Sequence, residues 1–312
     1  MWIYDKQQVE ALLDYPGCIA AMRDAMAALS RAGTAQPLRQ IVPIGAGRLF
    51  GVMPGTLAEQ TIFGAKMVSV FADPATGRSR HQGVVVVYDA GTGAVRCIAD
   101  AEPVTLIRTA CATAAATDAL ARPDATRLAI FGTGAQAESH LRALSGIRAW
   151  DEIVLWGRAF DRARDVAERV GHELGLPVTA VRDGREAASA ADVICTVTAA
   201  AEPVLLGDWV CPGAHVNLVG SSHLGPVEID SGLVAAGRYI ADYRPGVVAQ
   251  ASELAVARDA GLVGDDHVVG EIGQVFLGGI PGRENDDQIT IYKSLGHIVQ
   301  DLAAVRYLAA QG

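Results

Sequence analysis

The chain has 312 residues, half of them hydrophobic, one fifth charged and only 5% aromatic, with a formal net charge of −9. That length leads us to expect about two domains, and the acidic balance, without any run of Lys or Arg, argues against a nucleic-acid surface. No apolar stretch reaches the 18 residues of a membrane span, the opening MWIYDKQQVE lacks the charged and apolar regions of a secretory signal, and the five cysteines show no CxxC spacing. A cytoplasmic protein with reduced, core-packing thiols is the expectation, with neither membrane nor nucleic acid as partner.

In chain order, Asp5 is placed to cap a short helix through Leu13, and a second helix spans Gly17–Ala32 and stops at Gly33. Strands are predicted over Leu38–Ile44, Arg48–Met53, Thr61–Phe71, Gly83–Asp89 and Ala94–Asp100, the last two joined by the hairpin connection Ala90-Gly91-Thr92-Gly93. Pro103 suits a first helical turn, opening a helix to about Ala121. From Thr126 the rhythm changes to alternating strand and helix, with strands at Leu128–Phe131, Ile153–Trp156, Val178–Val181, Val193–Val197, Val216–Val219 and Tyr239–Ala241. Such alternation predicts a doubly wound parallel sheet. The tail, Gln288–Leu308, reads as one strand and one amphipathic helix.

The most informative stretch is Thr126–Gly146, in which an apolar strand runs into Gly132-Thr133-Gly134-Ala135-Gln136-Ala137 and then a helical pattern. This is the G-x-G-x-x-A form of the dinucleotide fingerprint in its strand–turn–helix context. Gly132 permits the tight turn, Gly134 lets backbone N–H groups approach a pyrophosphate, and Ala137 allows close helix packing. By itself such a sequence is equally a glycine turn; the flanking strand and helix point to a bound dinucleotide. An NAD site usually ends its second strand in Asp or Glu, which holds the ribose 2′-OH. Here Gly157-Arg158 stands at that point, with Arg162 one helical turn on, so NADP(H) is expected over NAD(H), the latter still usable. An ordinary solvated helix start is the competing reading of these arginines.

On an extended Thr61–Phe71, Lys66 is the sole charge on a face made by Ile62, Gly64, Val68 and Val70. A buried lysine has a lowered pKa and can both give and take a proton, whereas a lysine on an edge strand would simply snorkel into water. Arg39 sits on a Val/Ile-rich strand, and Arg108 lies on a helix of Ala, Thr and Cys with no carboxylate one turn away. Gly220-Ser221-Ser222-His223-Leu224-Gly225 misses the G-x-S-x-G hydrolase elbow by one residue, and the seven histidines lack metal-ligand spacing, so no metal is expected. Thr196, Val197 and Thr198 close the fourth parallel strand, at the sheet edge where cofactors lie.

Taken together, Pro37-Leu38-Arg39, Gly64-Ala65-Lys66, His81-Gln82-Gly83, Arg108-Thr109-Ala110, Gly132–Ala137, Val219-Gly220-Ser221 with Glu228 following, and Tyr292-Lys293-Ser294-Leu295-Gly296 leading to Asp301 resemble the ornithine cyclodeaminase/mu-crystallin family. The resemblance runs in order along nearly the whole chain. It implies a homodimer of NAD(P)-dependent enzymes acting on small imino or amino acids. Its architecture would be a Rossmann-type doubly wound sheet (residues 118–287) inserted into an α+β substrate-binding and dimerisation domain (residues 1–117 and 288–312). Carried over residue by residue, Arg39, Lys66 and Arg108 would hold the substrate carboxylate, Arg108 also lying near the cofactor phosphates. Leu295 would touch the substrate, and His81, Gln82, Ser221 and Ser294 the cofactor. Cyclodeaminases of the family carry an aspartate where this chain has Ser222, followed by His223. Serine offers no carboxylate to a distal ammonium, so ornithine or lysine cyclisation with recycled NAD is the lesser expectation, as is a mu-crystallin-like protein that only binds. The leading expectation is NADP(H)-dependent reduction of a 2-imino acid, or the reverse oxidation of an amino acid, with Lys66 as proton donor and His223 as a second proton route.

Overall fold

The computed structural model describes residues 1–33, 36–45, 48–57, 61–72 and 79–312, without the side chains of residues 72 and 79–81. The chain divides into two compact units, Met1–Ala112 with His297–Gly312, and Thr113–Gly296. Among the described residues no helix is long and apolar enough to cross a membrane.

The first unit is built on a six-stranded sheet in the order β1-β6-β5-β4-β3-β2, from β1 (Trp2–Tyr4), β2 (Gln40–Pro43), β3 (Leu49–Thr56), β4 (Ile62–Ala72), β5 (Ser79–Asp89) and β6 (Val95–Asp100). All neighbours are antiparallel except β1, which pairs parallel with β6. Strand β1 was not expected; three residues with two exposed side chains are too short to show alternation. Helix α1 (Lys6–Leu12) starts on the predicted Asp5, whose side chain accepts from the Gln8 backbone while the Gln8 side chain accepts from the Asp5 backbone. Helix α2 (Tyr15–Ala32) is capped by Asp14 and ends at Gly33 in the left-handed conformation. The C-terminal helix α11 (Ile298–Gln311) packs on α2 and on strands β3, β4 and β5. Gly64 makes that approach feasible: a Cβ there would lie 2.0 Å from the Val86 carbonyl oxygen and 3.0 Å from Leu302 Cδ2.

The second unit carries an eight-stranded, all-parallel sheet in the order β13-β12-β14-β11-β10-β7-β8-β9. Its strands are β7 (Arg127–Phe131), β8 (Glu152–Trp156), β9 (Val178–Val181), β10 (Val193–Thr196), β11 (His215–Leu218), β12 (Arg238–Ala241), β13 (Val268–Glu271) and β14 (Thr290–Lys293). Chain order reverses beside β7: β8 and β9 extend to one side, β10 and β11 to the other, which makes the crevice beyond β7 and β10 the switch point where ligands bind in such sheets. The central strands are buried on both faces, as parallel strands covered by helices must be, mostly through apolar side chains but with Thr196, His215, Asn217 and Lys293 buried among them.

Two expectations differ from the structure here. Strand β14 lies between β11 and β12, so the tail strand belongs to the Rossmann-type sheet rather than to the substrate domain, and the chain returns to the first unit at His297 instead of residue 288. The other crossing falls within helix α3 (Ala101–Leu120) at residue 112, ahead of the Arg122-Pro123 stretch expected to mark it. A strand of four residues carries no record of its partners, and an unbroken helix gives no compositional joint. Strand β13 also escaped prediction, being short with an exposed Val269.

Candidate active site and dinucleotide cradle

In the first unit β4 turns Lys66 onto the face covered by α11, and the residue is only 4% exposed. Lys66 Nζ donates to Asp301 Oδ1 at 3.0 Å and to Thr105 Oγ1 at 3.3 Å. The same Asp301 oxygen accepts from Arg108 Nε at 3.0 Å, and Arg108 Nη1 donates to Gln300 Oε1 at 2.7 Å. Two cations thus share one carboxylate oxygen in a site that excludes water, while Asp301 Oδ2 accepts no hydrogen bond from the described residues. Burial pushes the Lys66 pKa down to about 8; Asp301 opposes the fall, and the Arg108 and Arg39 charges add to it. Although burial favours the neutral acid, Arg108 and Lys66 hold the Asp301 carboxyl below the ordinary range. Burial likewise lowers the His297 imidazole at the start of α11 to about 4, so it is neutral at pH 7.

Lys66, Arg108 and the field of Arg39 therefore meet in one place, and the alternative of a snorkelling Lys66 is rejected by its burial. Arg39 is half-buried just before β2 instead of within a strand. Arg108 does find a carboxylate, on a helix almost two hundred residues away, where helical spacing along its own segment could not reveal it. Asp301, Gln300 and Thr105 were missing from the residues assigned to catalysis. The available signal was a Gln-Asp pair in the first turn of a helix that continues apolar through Val305; both side chains are fully buried. Gln82 is exposed on β5, opposite Ser69, and the His81 side chain lies outside the described residues.

In the second unit β7 delivers Gly132 at φ +141°, where a Cβ would meet Val197 Cγ2 and the Val197 carbonyl oxygen at 2.9 Å. Gly134 caps helix α4 (Ala135–Ser145) without a side-chain hydrogen bond, and a Cβ added to it would enter open space. The first N–H groups of α4 are thus left for an anion beside the loop of Thr133, Ala135 and Gln136. That arrangement fits a dinucleotide pyrophosphate. Gly157, after β8, leaves room for Thr133, whose Cγ2 would lie 2.5 Å from a Cβ. Arg158 is exposed and Arg162 half-buried on helix α5 (Phe160–Leu174). Among the described residues neither forms an ion pair, whereas Arg164 is engaged with Asp161, Asp165 and Glu168.

The residues at the edge of β10 and β11 are occupied differently from expectation. Thr196 and Thr198 turn their hydroxyls to the buried Glu228, and the Ser221 hydroxyl donates to Glu253 while accepting from Lys293 Nζ at 2.6 Å. Burial obliges each of these hydroxyls to find an internal partner, and together they tie down the edge of the sheet. Ser294 is buried with no partner for its hydroxyl among the described residues. Leu295 is part of the apolar core of this unit, its backbone N–H donating to Asp242 Oδ2 at 2.8 Å. Ser222 is half-buried and His223 exposed; the His223 carbonyl accepts from Ser252 Oγ at 2.9 Å.

With this geometry in hand, comparison with known proteins is informative. The model of the ornithine cyclodeaminase/mu-crystallin family matches residues 2–311. The chain is 33% identical over 276 residues to the ketimine reductase mu-crystallin of Mus musculus, covering 88% of this chain and 84% of that one. It is 34% identical over 292 residues to the Delta(1)-pyrroline-2-carboxylate reductase of Paracoccus denitrificans, covering 92% of each. The structure of Thermococcus litoralis Delta(1)-pyrroline-2-carboxylate reductase in complex with NADH and L-proline superposes with a TM-score of 0.94 at 26% identity, over 100% of this chain and 97% of that one.

Proposed function

The chain belongs to the ornithine cyclodeaminase/mu-crystallin family, and from that footing we propose that it is an NADP(H)-preferring reductase of the carbon–nitrogen double bond in a 2-imino acid. Cyclic imines such as 1-pyrroline-2-carboxylate and 1-piperideine-2-carboxylate are its substrate class, in keeping with the names of the relatives it resembles. The observation that carries the reading is the buried cluster of Lys66, Asp301 and Arg108.

The cofactor is a nicotinamide dinucleotide, whose reduced form supplies the hydride when bound. Its pyrophosphate suits the Gly132–Gln136 loop and the start of α4. Arg158 and Arg162, without carboxylate partners among the described residues, suit a 2′-phosphate, which supports NADP(H) over NAD(H). Arg108 and Arg39 fix the substrate carboxylate, each charge-assisted hydrogen bond contributing about 1.5–3 kcal/mol. Lys66, close to half-protonated near pH 8, gives its proton to the imine nitrogen as the carbon receives hydride, and regains one from water. Asp301 keeps that ammonium charged near neutral pH and directs it. Ser222 in place of a carboxylate speaks against cyclisation of a diamino acid. We expect assembly as a homodimer, supported by exposed apolar side chains of the first unit, among them Trp2, Ile3 and Val42.

Incubation with NADPH and either cyclic imine, followed at the nicotinamide absorbance band, tests the reading. Stoichiometric oxidation with formation of the cyclic amino acid is expected. Ammonia released from ornithine with catalytic NAD, or tight nucleotide binding without turnover of any imine, would overturn it.

A further inference from the structure

Glu228 is fully buried in the second unit, and its carboxylate accepts five hydrogen bonds. Oε1 takes the Thr198 backbone N–H at 2.6 Å and the Thr198 hydroxyl at 2.7 Å. Oε2 takes the Thr196 hydroxyl at 3.0 Å and the backbone N–H groups of Gly220 at 2.7 Å and Ser221 at 3.2 Å. The backbone is shaped to admit it: a Cβ at Gly220 would lie 2.4 Å from Glu228 Oε1. Both backbone loops that leave β10 and β11 are tied to this one side chain. Burial raises the Glu228 pKa, while the three backbone N–H donors, the threonine hydroxyls and the Lys293 charge oppose that rise and favour the ionised form. Among the described residues no cation lies within ion-pair distance of it; the neighbouring Lys293 is committed to Glu253 at 3.1 Å. Glu228, Glu253 and Lys293 together leave one net negative charge.

The place of that charge in the sheet gives it a role. A dinucleotide at this switch point puts its pyrophosphate over the β7 turn, one nucleoside toward β8 and β9 and the other toward β10 and β11. Arg158, at the end of β8, marks the adenosine side, which leaves the loops held by Glu228 to the nicotinamide. The reduced ring is neutral and the oxidised ring carries one positive charge, so a fixed anion on that side of the sheet would discriminate between them. We propose that Glu228 is a redox-biasing residue: it favours the oxidised over the reduced nicotinamide in the bound state and thereby makes the held cofactor a stronger hydride donor. The proposal rests on the nicotinamide reading above and adds to it the residue that sets the driving force. In the biased step NADPH loses a hydride, two electrons with one proton, to the imine carbon, while the nitrogen takes a proton; nothing else is consumed.

The test is the ratio of dissociation constants, Kd(NADP⁺)/Kd(NADPH), measured by calorimetry and nucleotide fluorescence without any substrate. In Glu228→Gln the ratio is expected to rise about tenfold, the scale on which one unit charge acts through a protein interior, which is ~30 mV in the bound couple. Lys293→Met removes the opposite charge and is expected to lower the ratio; a loss of packing would not change sign between the two variants. A ratio unchanged in a Glu228→Gln protein that melts like the wild type and binds NADPH as tightly refutes the proposal and leaves the reductase reading standing. If Glu228→Gln does not fold, Lys293→Met decides: a ratio that stays or rises refutes the bias. Wild-type protein that binds neither nucleotide overturns the cofactor reading itself.

Discussion

Replacing Asp301 by Asn keeps the shape of the side chain and removes its charge, leaving Lys66 and Arg108 buried against a neutral amide oxygen in place of the carboxylate oxygen that both now use at 3.0 Å. Two consequences differ in kind. Breaking a buried ion pair by removing one partner costs about 3–5 kcal/mol, so the variant should unfold at distinctly lower denaturant concentration. The second consequence is specific to the chemistry. Asp301 is the main influence holding the Lys66 pKa up against burial, and with it the pKa stands at about 8. At an effective dielectric of about 20, a unit charge ~4 Å away acts with ~4 kcal/mol, so even partial loss moves the pKa down by at least about one unit, or ~1.4 kcal/mol. With Lys66 as the proposed acid, activity is expected below its pKa and is lost as pH rises through it. The profile of kcat/KM for 1-pyrroline-2-carboxylate between pH 6 and 10 reports the free enzyme. The wild type should decline through about pH 8 and Asp301→Asn at least about one unit earlier. Protonation of the imine itself contributes equally to both profiles, so their difference isolates Lys66. Coincident declining limbs, or a variant limb displaced to higher pH, would refute the assignment of Lys66 as proton donor under control of Asp301.

Lys66→Met should lower turnover by at least about a hundredfold while leaving NADPH binding, read by fluorescence, nearly intact; retained turnover removes Lys66 from the chemistry. Arg158→Ala should raise the KM for NADPH by about tenfold or more, the loss of one charge-assisted hydrogen bond, and leave that for NADH unchanged; equal effects on the two would reject a 2′-phosphate contact. Gly132→Ala places a methyl 2.9 Å from Val197 at a φ that L-residues avoid, and should destabilise the protein by about 1–3 kcal/mol together with a loss of nucleotide affinity, both measurable by melting with and without NADPH. Buried His140, which donates from Nδ1 to the Gln136 carbonyl, is pushed down to about 4 by burial. The unfolded chain takes up that proton near pH 6.5, so stability should fall as pH drops from about 6.5 to 4, by up to ~1.4 kcal/mol per unit. Urea denaturation of His140→Gln should show a shallower loss over that window, and an unaltered slope would contradict the burial argument.

What could be read along the chain, and what could not, follows the range of the interactions involved. The β7–α4 turn was legible because its information is local: Gly132, Gly134 and the following helix sit within a dozen residues, and each glycine is demanded by a backbone constraint in its own neighbourhood. The capped helices α1 and α2 were legible for the same reason. Lys66 announced itself as a lone charge on an apolar strand face, because period-two alternation predicts burial without knowledge of what does the burying. Its partner did not, since Asp301 arrives on the last helix and the contact depends on how α11 settles over Gly64. Thr196 and Thr198 were assigned to the cofactor by their place at the edge of the sheet, and Ser221 by the family resemblance. Their hydroxyls satisfy Glu228 and Glu253, whose need for donors arises only once both carboxylates are buried. Position along the chain thus located the edge, while the demand of buried charge decided what each polar group there does. The same demand links the two units' chemistry: in each, a carboxylate invisible to spacing rules governs the residues that spacing did find, Asp301 setting the proton on Lys66 and Glu228 organising the loops beside the dinucleotide turn.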